Sequence, residues 1–352
     1  MKISSIQQML CEDEAFLVSG EVSRRYLVGY SSTDGYLIIT KKDARFFIDA
    51  RYFEAAQKTI TVCQTELFKG FDGMKNYLGG IKNIIVESSV VTLRQFEKLK
   101  EIFAPMKVSV NGEFDLAIEK MRQQKSAEEI ALLIKAQTIA EAALYETLQF
   151  IRVGMTENEV AAFLEYSMRK NGGEKLSFDT IVVSGKSGSV PHGVPGGKKI
   201  ELGDFVTMDF GTVVGGYHSD MTRTVVMGRA SERQKNVYFA VLDAQKKAIE
   251  TVKAGVKCSD VDKAARDLLK ERGFGEYFTH STGHGVGLEI HESPAVSEKN
   301  DSLLTVGTVI TVEPGIYIPG ELGVRIEDFG VVTKDGFENF TKADKNLLEI
   351  MS

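Results

Sequence analysis

All five histidines of this 352-residue chain lie in one stretch, and acidic residues are spaced among and beyond them. The histidines are His192, His218, His280, His284 and His291. The acids form two pairs, Asp209 with Asp220 and Glu313 with Glu327. Histidine and carboxylate are ligand types for divalent metals, and histidine titrates near neutral pH. The chemistry of the chain is therefore expected in this stretch.

The two acid pairs belong to a short internal repeat. Residues 201–211 (ELGDFVTMDFG) and 305–315 (TVGTVITVEPG) carry a glycine, a threonine, an acid and a final glycine in register. In each copy a strand leads through a turn into a second strand with a second acid, so an antiparallel hairpin would bring the two carboxylates together. Two hairpins related by a pseudo-twofold would direct four carboxylates at one point. A match this short can arise by chance, but the second acids favour a true repeat.

Four ionised carboxylates a few ångströms apart repel one another strongly. A protein can relieve this repulsion by protonating some of them or by binding cations. One histidine and four carboxylates suit two divalent ions about 3.5 Å apart. The oxygen-rich set favours Mn²⁺, although Co²⁺ and Zn²⁺ would also be accepted. Because paired ions activate water near neutral pH, the sequence predicts metal-assisted hydrolysis.

The bulk properties exclude several other classes of protein. A net charge of −6 without a basic stripe disfavours nucleic-acid binding. The cysteines Cys11, Cys63 and Cys258 are too widely spaced for a disulfide framework or a cysteine zinc site. No apolar run reaches the length of a membrane span, and the first twenty residues lack the apolar core of a signal peptide. We therefore expect a cytoplasmic protein with no membrane or nucleic-acid partner.

The elements that must position these residues form a predicted α+β chain of two domains, residues 1–120 and 121–352. The first domain alternates short apolar strands and helices, as in a small α/β unit. Its predicted strands are 15–18, 35–40, 44–49 and 83–87, and its predicted helices are 53–58 and 93–103. In the second domain, capping boxes that begin at Ser126, Thr156 and Ser231 predict helix starts. The histidines and acids lie between these helices, mostly on predicted strands.

Five motifs in the second domain resemble the metallopeptidases with the pita-bread fold, the family of methionine aminopeptidase, aminopeptidase P and prolidase. They are MDFG (208–211), HSDMTRT (218–224), TGHGVG (282–287), VEPG (312–315) and VRIED (324–328). The first domain resembles the creatinase-type N-terminal domain through RYLVGY (25–30) and DARY (49–52). The resemblance implies a pita-bread (creatinase/aminopeptidase) fold with an internal pseudo-twofold, preceded by a smaller α/β domain.

The resemblance also implies a set of metal ligands. They are Asp209, Asp220, His284, Glu313 and Glu327. Asp220 and Glu327 would bridge the two ions, and Glu313 would also be the general base that passes a proton from the attacking water to the leaving nitrogen. His218 is expected to be a structural neighbour of the site.

Further site residues follow from the same resemblance. His291 would stabilise the oxyanion, an effect of about 3 kcal/mol, and His192 and His280 would line the pocket for the residue after the scissile bond. Tyr317 would line the substrate pocket, or pack in the core. Arg325 would brace the carboxylates, or form an ordinary ion pair. His280 could alternatively be a loop residue without a role in the site.

Within this family, the full ligand set together with the N-terminal domain implies hydrolysis of an Xaa-Pro bond, which lacks the N–H that other peptidases bind. Two activities stay open: an Xaa-Pro aminopeptidase acting on longer peptides, which we favour, and an Xaa-Pro dipeptidase (prolidase) restricted to dipeptides. A non-catalytic peptide-binding module is a third reading, disfavoured because all five ligands are present. The expected partner is a peptide with proline at its second position, and a homodimer is expected by family analogy.

Overall fold

A computed structural model describes residues 2–351 of the chain. By their internal contacts the residues divide into two compact units, Met1–Arg122 and Gln123–Ser352. They are called the N-terminal and the C-terminal unit below. None of the helices within residues 2–351 combines the length and the apolarity needed to cross a bilayer.

The N-terminal unit contains a six-stranded mixed sheet with strand order β4-β3-β2-β1-β5-β6. The strands are β1 (Glu14–Val18), β2 (Tyr36–Thr40), β3 (Ala44–Ile48), β4 (Gln64–Leu67), β5 (Asn83–Val86) and β6 (Lys107–Val110). The helices up to residue 123 are α1 (Lys2–Met9), α2 (Glu21–Val28), α3 (Ala50–Thr59), α4 (Phe71–Tyr77), α5 (Leu93–Phe103) and α6 (Gly112–Gln123). One face of the central strands packs against helix side chains in a core that includes Leu17, Ile38, Met74 and Phe103.

The four predicted strands correspond to β1, β2, β3 and β5. The sequence did not predict β4 and β6, which are the two edge strands of the sheet. Each is four residues long and only partly buried. An edge strand buries less surface than a central one, so its sequence carries a weaker apolar pattern.

The C-terminal unit contains two helix pairs. They are α7 (Ala127–Phe150) with α8 (Glu157–Lys170), and α9 (Glu232–Thr251) with α10 (Cys258–Glu271). Both hydrogen bonds of a capping box are present at Ser126, Thr156 and Ser231. The three helix starts predicted from the sequence are therefore confirmed.

The strands of the C-terminal unit form a four-stranded sheet of order β19-β11-β8-β7, a five-stranded sheet of order β13-β12-β14-β17-β18, and the two-stranded ribbons β9–β10 and β15–β16. They are β7 (Ile181–Ser184), β8 (Phe205–Phe210), β9 (Val213–Val214), β10 (Tyr217–His218), β11 (Met221–Met227), β12 (Gly283–Gly285), β13 (Glu292–Val296), β14 (Val309–Val312), β15 (Gly315–Ile318), β16 (Leu322–Arg325), β17 (Asp328–Val332), β18 (Phe337–Asn339) and β19 (Glu349–Ile350).

The sequence repeat corresponds to two similar hairpins. Strand β8 pairs antiparallel with β11, and β14 pairs antiparallel with β17. Each connection carries a short ribbon, β9–β10 or β15–β16. The first ribbon turns at Gly215 and Gly216 and the second at Gly320, all with positive φ. Glycine adopts these backbone angles without the strain that a Cβ would add.

Each hairpin packs against its own helix pair. Leu144 and Leu164 from α7 and α8 share a core cluster with Val206 of β8. Val241 and Leu269 from α9 and α10 share a second cluster with the strands of the other sheet. The C-terminal unit thus consists of two layered halves with corresponding elements, and the hairpin of each half carries two acids.

Candidate metal centre

The four acids of the repeat line one cavity of about 650 Å³ in the C-terminal unit. Asp209 lies near the end of β8, and Asp220 directly precedes β11. Glu313 directly follows β14, and Glu327 directly precedes β17. Because both strand pairs are antiparallel, the end of one strand lies beside the start of its partner. The hairpins therefore bring the four carboxylates together, as the repeat predicted.

The side chain of His284 lies beside these carboxylates and comes from β12, the strand next to β14. Its Nε2 atom lies 3.5 Å from Asp220 Oδ2 and 3.4 Å from Glu313 Oε1. One potential ligand atom from each of Asp220, His284 and Glu327 lies within 4.8 Å of the others. Five side chains with metal-binding atoms thus line the same cavity.

The tautomer of His284 indicates that a cation fits between this ring and the carboxylates of Asp220 and Glu313. Its Nδ1 atom lies 3.0 Å from the carbonyl oxygen of Gly285, which can only accept a hydrogen bond, so Nδ1 carries the proton. Burial lowers the pKa of His284 and favours the neutral ring. Nε2 then presents a lone pair to two carboxylates, an arrangement that a cation between them would make favourable.

The carboxylates show the same need for positive charge. Among the described residues, Asp209 Oδ1 and Glu327 Oε1 are buried without a hydrogen-bond partner. Burial is the main cause, and repulsion from neighbouring acids the second, that raises the pKa of Asp220 and Glu327 well above the ordinary range. Burial raises the pKa of Glu313 to about 7. Buried anionic oxygens without a partner are costly, and two divalent ions would balance four carboxylates. The residues fit a pair of hard divalent cations.

Arg325 and Thr222 connect the two halves behind these ligands. The guanidinium of Arg325 donates from Nη2 to Asp209 Oδ2, from Nη1 to the hydroxyl of Tyr317 at 2.7 Å, and from Nε to Thr222 Oγ1 at 3.0 Å. The Thr222 hydroxyl in turn donates to Glu327 Oε2 at 2.8 Å. Since Arg325 and Thr222 are both buried, they fix one carboxylate from each hairpin.

His192, His280 and His291 all line the cavity. The ring of His291 meets that of His284 edge-on, with 4.4 Å between centroids. His280 has both ring nitrogens engaged, Nδ1 with the carbonyl of Ser281 at 2.8 Å and Nε2 with the hydroxyl of Tyr317 at 3.0 Å. Burial lowers the pKa of His280 to about 4, so this ring is neutral. It therefore offers the cavity carbon atoms and not a free nitrogen.

Two other sequence-predicted positions lie outside the cavity wall. Tyr317 does not line the cavity; it is buried, and its hydroxyl lies behind the wall between His280 and Arg325. Of the two expectations for Tyr317, this placement matches packing in the core and not lining of the pocket, because its hydroxyl is held between His280 and Arg325. His218 is buried on β10 and does not line the cavity either.

Sequence reasoning missed part of the site. An apolar wall of the cavity is formed by Phe178, Ile181, Val194, Ile290 and Ala295. No spacing pattern distinguishes these residues from ordinary core positions. It also missed Thr311, whose hydroxyl accepts from the backbone N–H of His284 at 3.0 Å and donates to Glu313 Oε1 at 3.2 Å. The threonine two residues before the acid in each repeat copy was the available signal.

Comparison with known proteins gives matches over nearly the whole chain. Residues 131–334 match the model of metallopeptidase family M24, and residues 5–124 match the creatinase/prolidase N-terminal domain. A Xaa-Pro dipeptidase from Pyrococcus horikoshii is 41% identical over 336 residues, which cover 95% of this chain and 94% of that protein.

Solved structures show the same likeness. The crystal structure of an X-Pro aminopeptidase from Thermotoga maritima matches with a TM-score of 0.92 and 37% identity, covering 98% of this chain and 100% of that one. A Xaa-Pro dipeptidase from Bacillus anthracis matches with a TM-score of 0.93 and 41% identity, covering 99% of this chain and 98% of that one. The likeness thus extends over both units.

Proposed function

Since the chain belongs to metallopeptidase family M24, with a creatinase-type N-terminal domain before a pita-bread unit, we propose that it hydrolyses the bond between the first residue of a peptide and a proline at the second position. The observation that carries the proposal is the meeting of four repeat-related carboxylates and His284 in one cavity whose walls hold three further histidines.

The proposed metal ligands are the five residues implied by the sequence resemblance. They are Asp209, Asp220, His284, Glu313 and Glu327. Two divalent ions held there, with Mn²⁺ proposed for its preference for oxygen, would supply Lewis-acid activation of water and of the scissile carbonyl. Metal analysis of protein purified without added metal would test the identity and number of the ions.

The side chains of the cavity account for the proton transfers. Glu313 accepts a hydrogen bond from Thr311, which fixes its carboxylate at the cavity surface. In that position it can take a proton from the attacking water and pass it to the proline nitrogen as that nitrogen leaves. His291 lines the same cavity and can donate an N–H to the oxygen that gains negative charge.

The walls suit a proline ring. An Xaa-Pro bond has no N–H, so the cavity needs no acceptor for one. The His280 ring, whose two nitrogens are both used within the protein, presents carbon atoms on one wall, and His192 lies in the same cavity. A flat, weakly polar surface can pack against the ring of proline without leaving a buried donor unpaired.

The preferred length of substrate distinguishes two activities. The sequence favoured the aminopeptidase, but the proteins from Pyrococcus horikoshii and Bacillus anthracis are Xaa-Pro dipeptidases. These relatives support the alternative better, so we propose dipeptide hydrolysis as the first activity to test.

An aminopeptidase remains the second candidate because of the charges in the cavity. In a dipeptide the proline carries a free carboxylate, which a Lys or Arg would recognise. Among the described residues that line the cavity, Arg325 alone is such a cation. Its guanidinium already contacts Asp209, Tyr317 and Thr222. The similarity to the X-Pro aminopeptidase of Thermotoga maritima points the same way.

Purified protein incubated with Mn²⁺ and either Ala-Pro or Ala-Pro-Ala tests the proposal directly. Release of free proline from Ala-Pro, or of the dipeptide Pro-Ala from Ala-Pro-Ala, supports Xaa-Pro hydrolysis, and the ratio of the two kcat/KM values assigns the enzyme to one class. Ala-Ala is the matched control, since it lacks the proline. If both proline peptides stay intact, the proposed function is wrong.

Light scattering would test the homodimer that we propose by family analogy.

A further inference from the structure

Two buried acids outside the metal centre hold the chain segments that carry the cavity histidines. Glu157 lies in the first turn of α8, and Asp262 lies on α10. Their exposed fractions are 2% and 0%. A buried carboxylate is retained only where hydrogen bonds or ion pairs compensate for the loss of water, so the partners of these two acids are informative.

Asp262 fixes the segment between two site histidines. Its Oδ1 atom accepts from the backbone N–H of Thr282 at 3.0 Å and from the Thr282 hydroxyl at 2.9 Å. Arg266, one turn further along α10, pairs with the same carboxylate and donates to the carbonyl oxygens of Phe278 at 3.0 Å and His280 at 2.9 Å. Residues 278–282 are therefore held at three points, and His284 follows two residues later.

Glu157 fixes the loop that carries His192. Its Oε1 atom accepts from the backbone N–H of Ser184 at 2.7 Å and from the Ser184 hydroxyl at 2.9 Å. Its Oε2 atom accepts from the backbone N–H of Gly196 at 3.2 Å. Ser184 ends β7 and Gly196 follows His192 by four residues, so a single carboxylate holds both ends of this loop.

The two arrangements correspond. In each, one carboxylate oxygen accepts from both the backbone N–H and the hydroxyl of a single Ser or Thr. In each, the acid lies on the second helix of its helix pair. We propose that Glu157 and Asp262 are positioning residues that hold the two histidine walls of the cavity in place for substrate, Glu157 through His192 and Asp262 through His280. This inference rests on the proposed function for its kinetic consequences.

The composition of the loop that carries His192 explains why it needs an anchor. Residues 185–197 include five glycines, and glycine gives up more conformational freedom on ordering than other residues. A charged acceptor forms stronger hydrogen bonds than a neutral one, so a buried carboxylate can hold such a loop. A displacement of about 1 Å at a reacting group is enough to lower a rate about 100-fold.

Variants of both acids test the proposal on Ala-Pro. Asp262→Ala and Glu157→Ala should each lower kcat/KM about 10-fold or more, mainly by raising KM. Asp262→Asn and Glu157→Gln keep an acceptor oxygen and should recover part of the loss. Glu141→Ala is the matched control, because Glu141 is also a buried acid that accepts from backbone N–H groups, those of Lys342 and Ala343. That segment carries no cavity residue, so kcat/KM should stay within about twofold.

A double-mutant cycle shows whether the acid acts through the histidine. In a His192→Ala background, Glu157→Ala should lower kcat/KM by less than about threefold, because the wall it positions is already lost. If Glu157→Ala causes the same loss in both backgrounds, or if the Glu141→Ala control loses as much, the proposal is overturned.

Hydrogen exchange gives a readout that needs no activity. Asp262→Ala should speed exchange in residues 278–284 and leave 185–197 unchanged, and Glu157→Ala should do the reverse. Should an alanine variant fail to fold, its Asn or Gln counterpart answers the same question. Unchanged exchange in both segments overturns the proposal. Inactivity of the wild type on every Xaa-Pro peptide overturns the proposed function instead, and leaves the exchange test valid.

Discussion

The two halves of the C-terminal unit share their architecture but differ in the groups around their acids. Each half packs a helix pair on an antiparallel hairpin and places one acid by the end of the first strand and one before the second. Asp220 and Glu327, which precede the second strand of each hairpin and are called the inner acids, are both buried. Burial and neighbouring acids raise the pKa of both.

The acids at the end of the first strand of each hairpin, Asp209 and Glu313, are called the outer acids, and they differ in their surroundings. Asp209 in the first half is paired with Arg325, whereas Glu313 in the second half accepts from Thr311 and faces His284. The second half also supplies His284 and Arg325 themselves. A repeated hairpin thus explains how four carboxylates meet, and the groups that differ between the halves are the reason why we propose Glu313, and not Asp209, as the general base.

The largest effect should come from the inner acids, and the two halves should respond alike. Asp220→Asn and Glu327→Gln should each lower kcat/KM at least ~10³-fold. Both acids are proposed metal ligands, and even residues that only support a metal ligand contribute about 10- to 100-fold. Both variants should also bind less Mn²⁺, measured by metal analysis after dialysis. Thermal unfolding of the metal-free proteins checks that both remain folded. One variant with normal metal content and activity would show that the halves are not equivalent here.

The outer acids should separate the halves. Glu313→Gln removes the proposed base and should lower kcat about 10²- to 10³-fold at saturating Mn²⁺. Asp209→Asn should lower kcat less and raise KM more, because it leaves the Arg325 guanidinium without its anionic partner beside the cavity. Steady-state kinetics on Ala-Pro for the two variants makes the comparison. If kcat falls further for Asp209→Asn than for Glu313→Gln, the assignment of the base to Glu313 is wrong.

The same comparison shows what the sequence could predict. The repeat spacing predicts the hairpins, because residue order along paired antiparallel strands determines which acids meet. The capping boxes predict three helix starts, since cap and helix are local in sequence. The resemblance implied that Arg325 braces the carboxylates, but the sequence does not predict its route through Thr222 to Glu327, because Thr222 and Arg325 belong to different hairpins. Nor does it predict that both nitrogens of His280 are engaged, which depends on the position of Tyr317.

Tyr317 connects the second half to a histidine wall and should have an intermediate effect. Tyr317→Phe removes the hydroxyl that accepts from Arg325 and lies 3.0 Å from His280 Nε2. Loss of about 1–3 kcal/mol of hydrogen bonding at a buried site should lower kcat/KM roughly tenfold. The measurement is steady-state kinetics with unfolding curves for the same samples. Unchanged kinetics with lower stability would mean that Tyr317 supports only the fold.

The smallest effect should come from a matched pair of threonines in the two repeat copies, Thr207 and Thr311. Both are buried, but the Thr311 hydroxyl contacts Glu313 and His284, whereas the Thr207 hydroxyl contacts that of Thr224 at 3.0 Å. Each Thr→Val change should reduce the free energy of unfolding by about 1 kcal/mol. Thr311→Val should also lower kcat roughly threefold, because Glu313 loses the donor that orients it. Thr207→Val should leave kcat within about 1.5-fold of wild type. If both variants lower kcat equally, the asymmetry lies in the fold as a whole and not in the contacts of the outer acid.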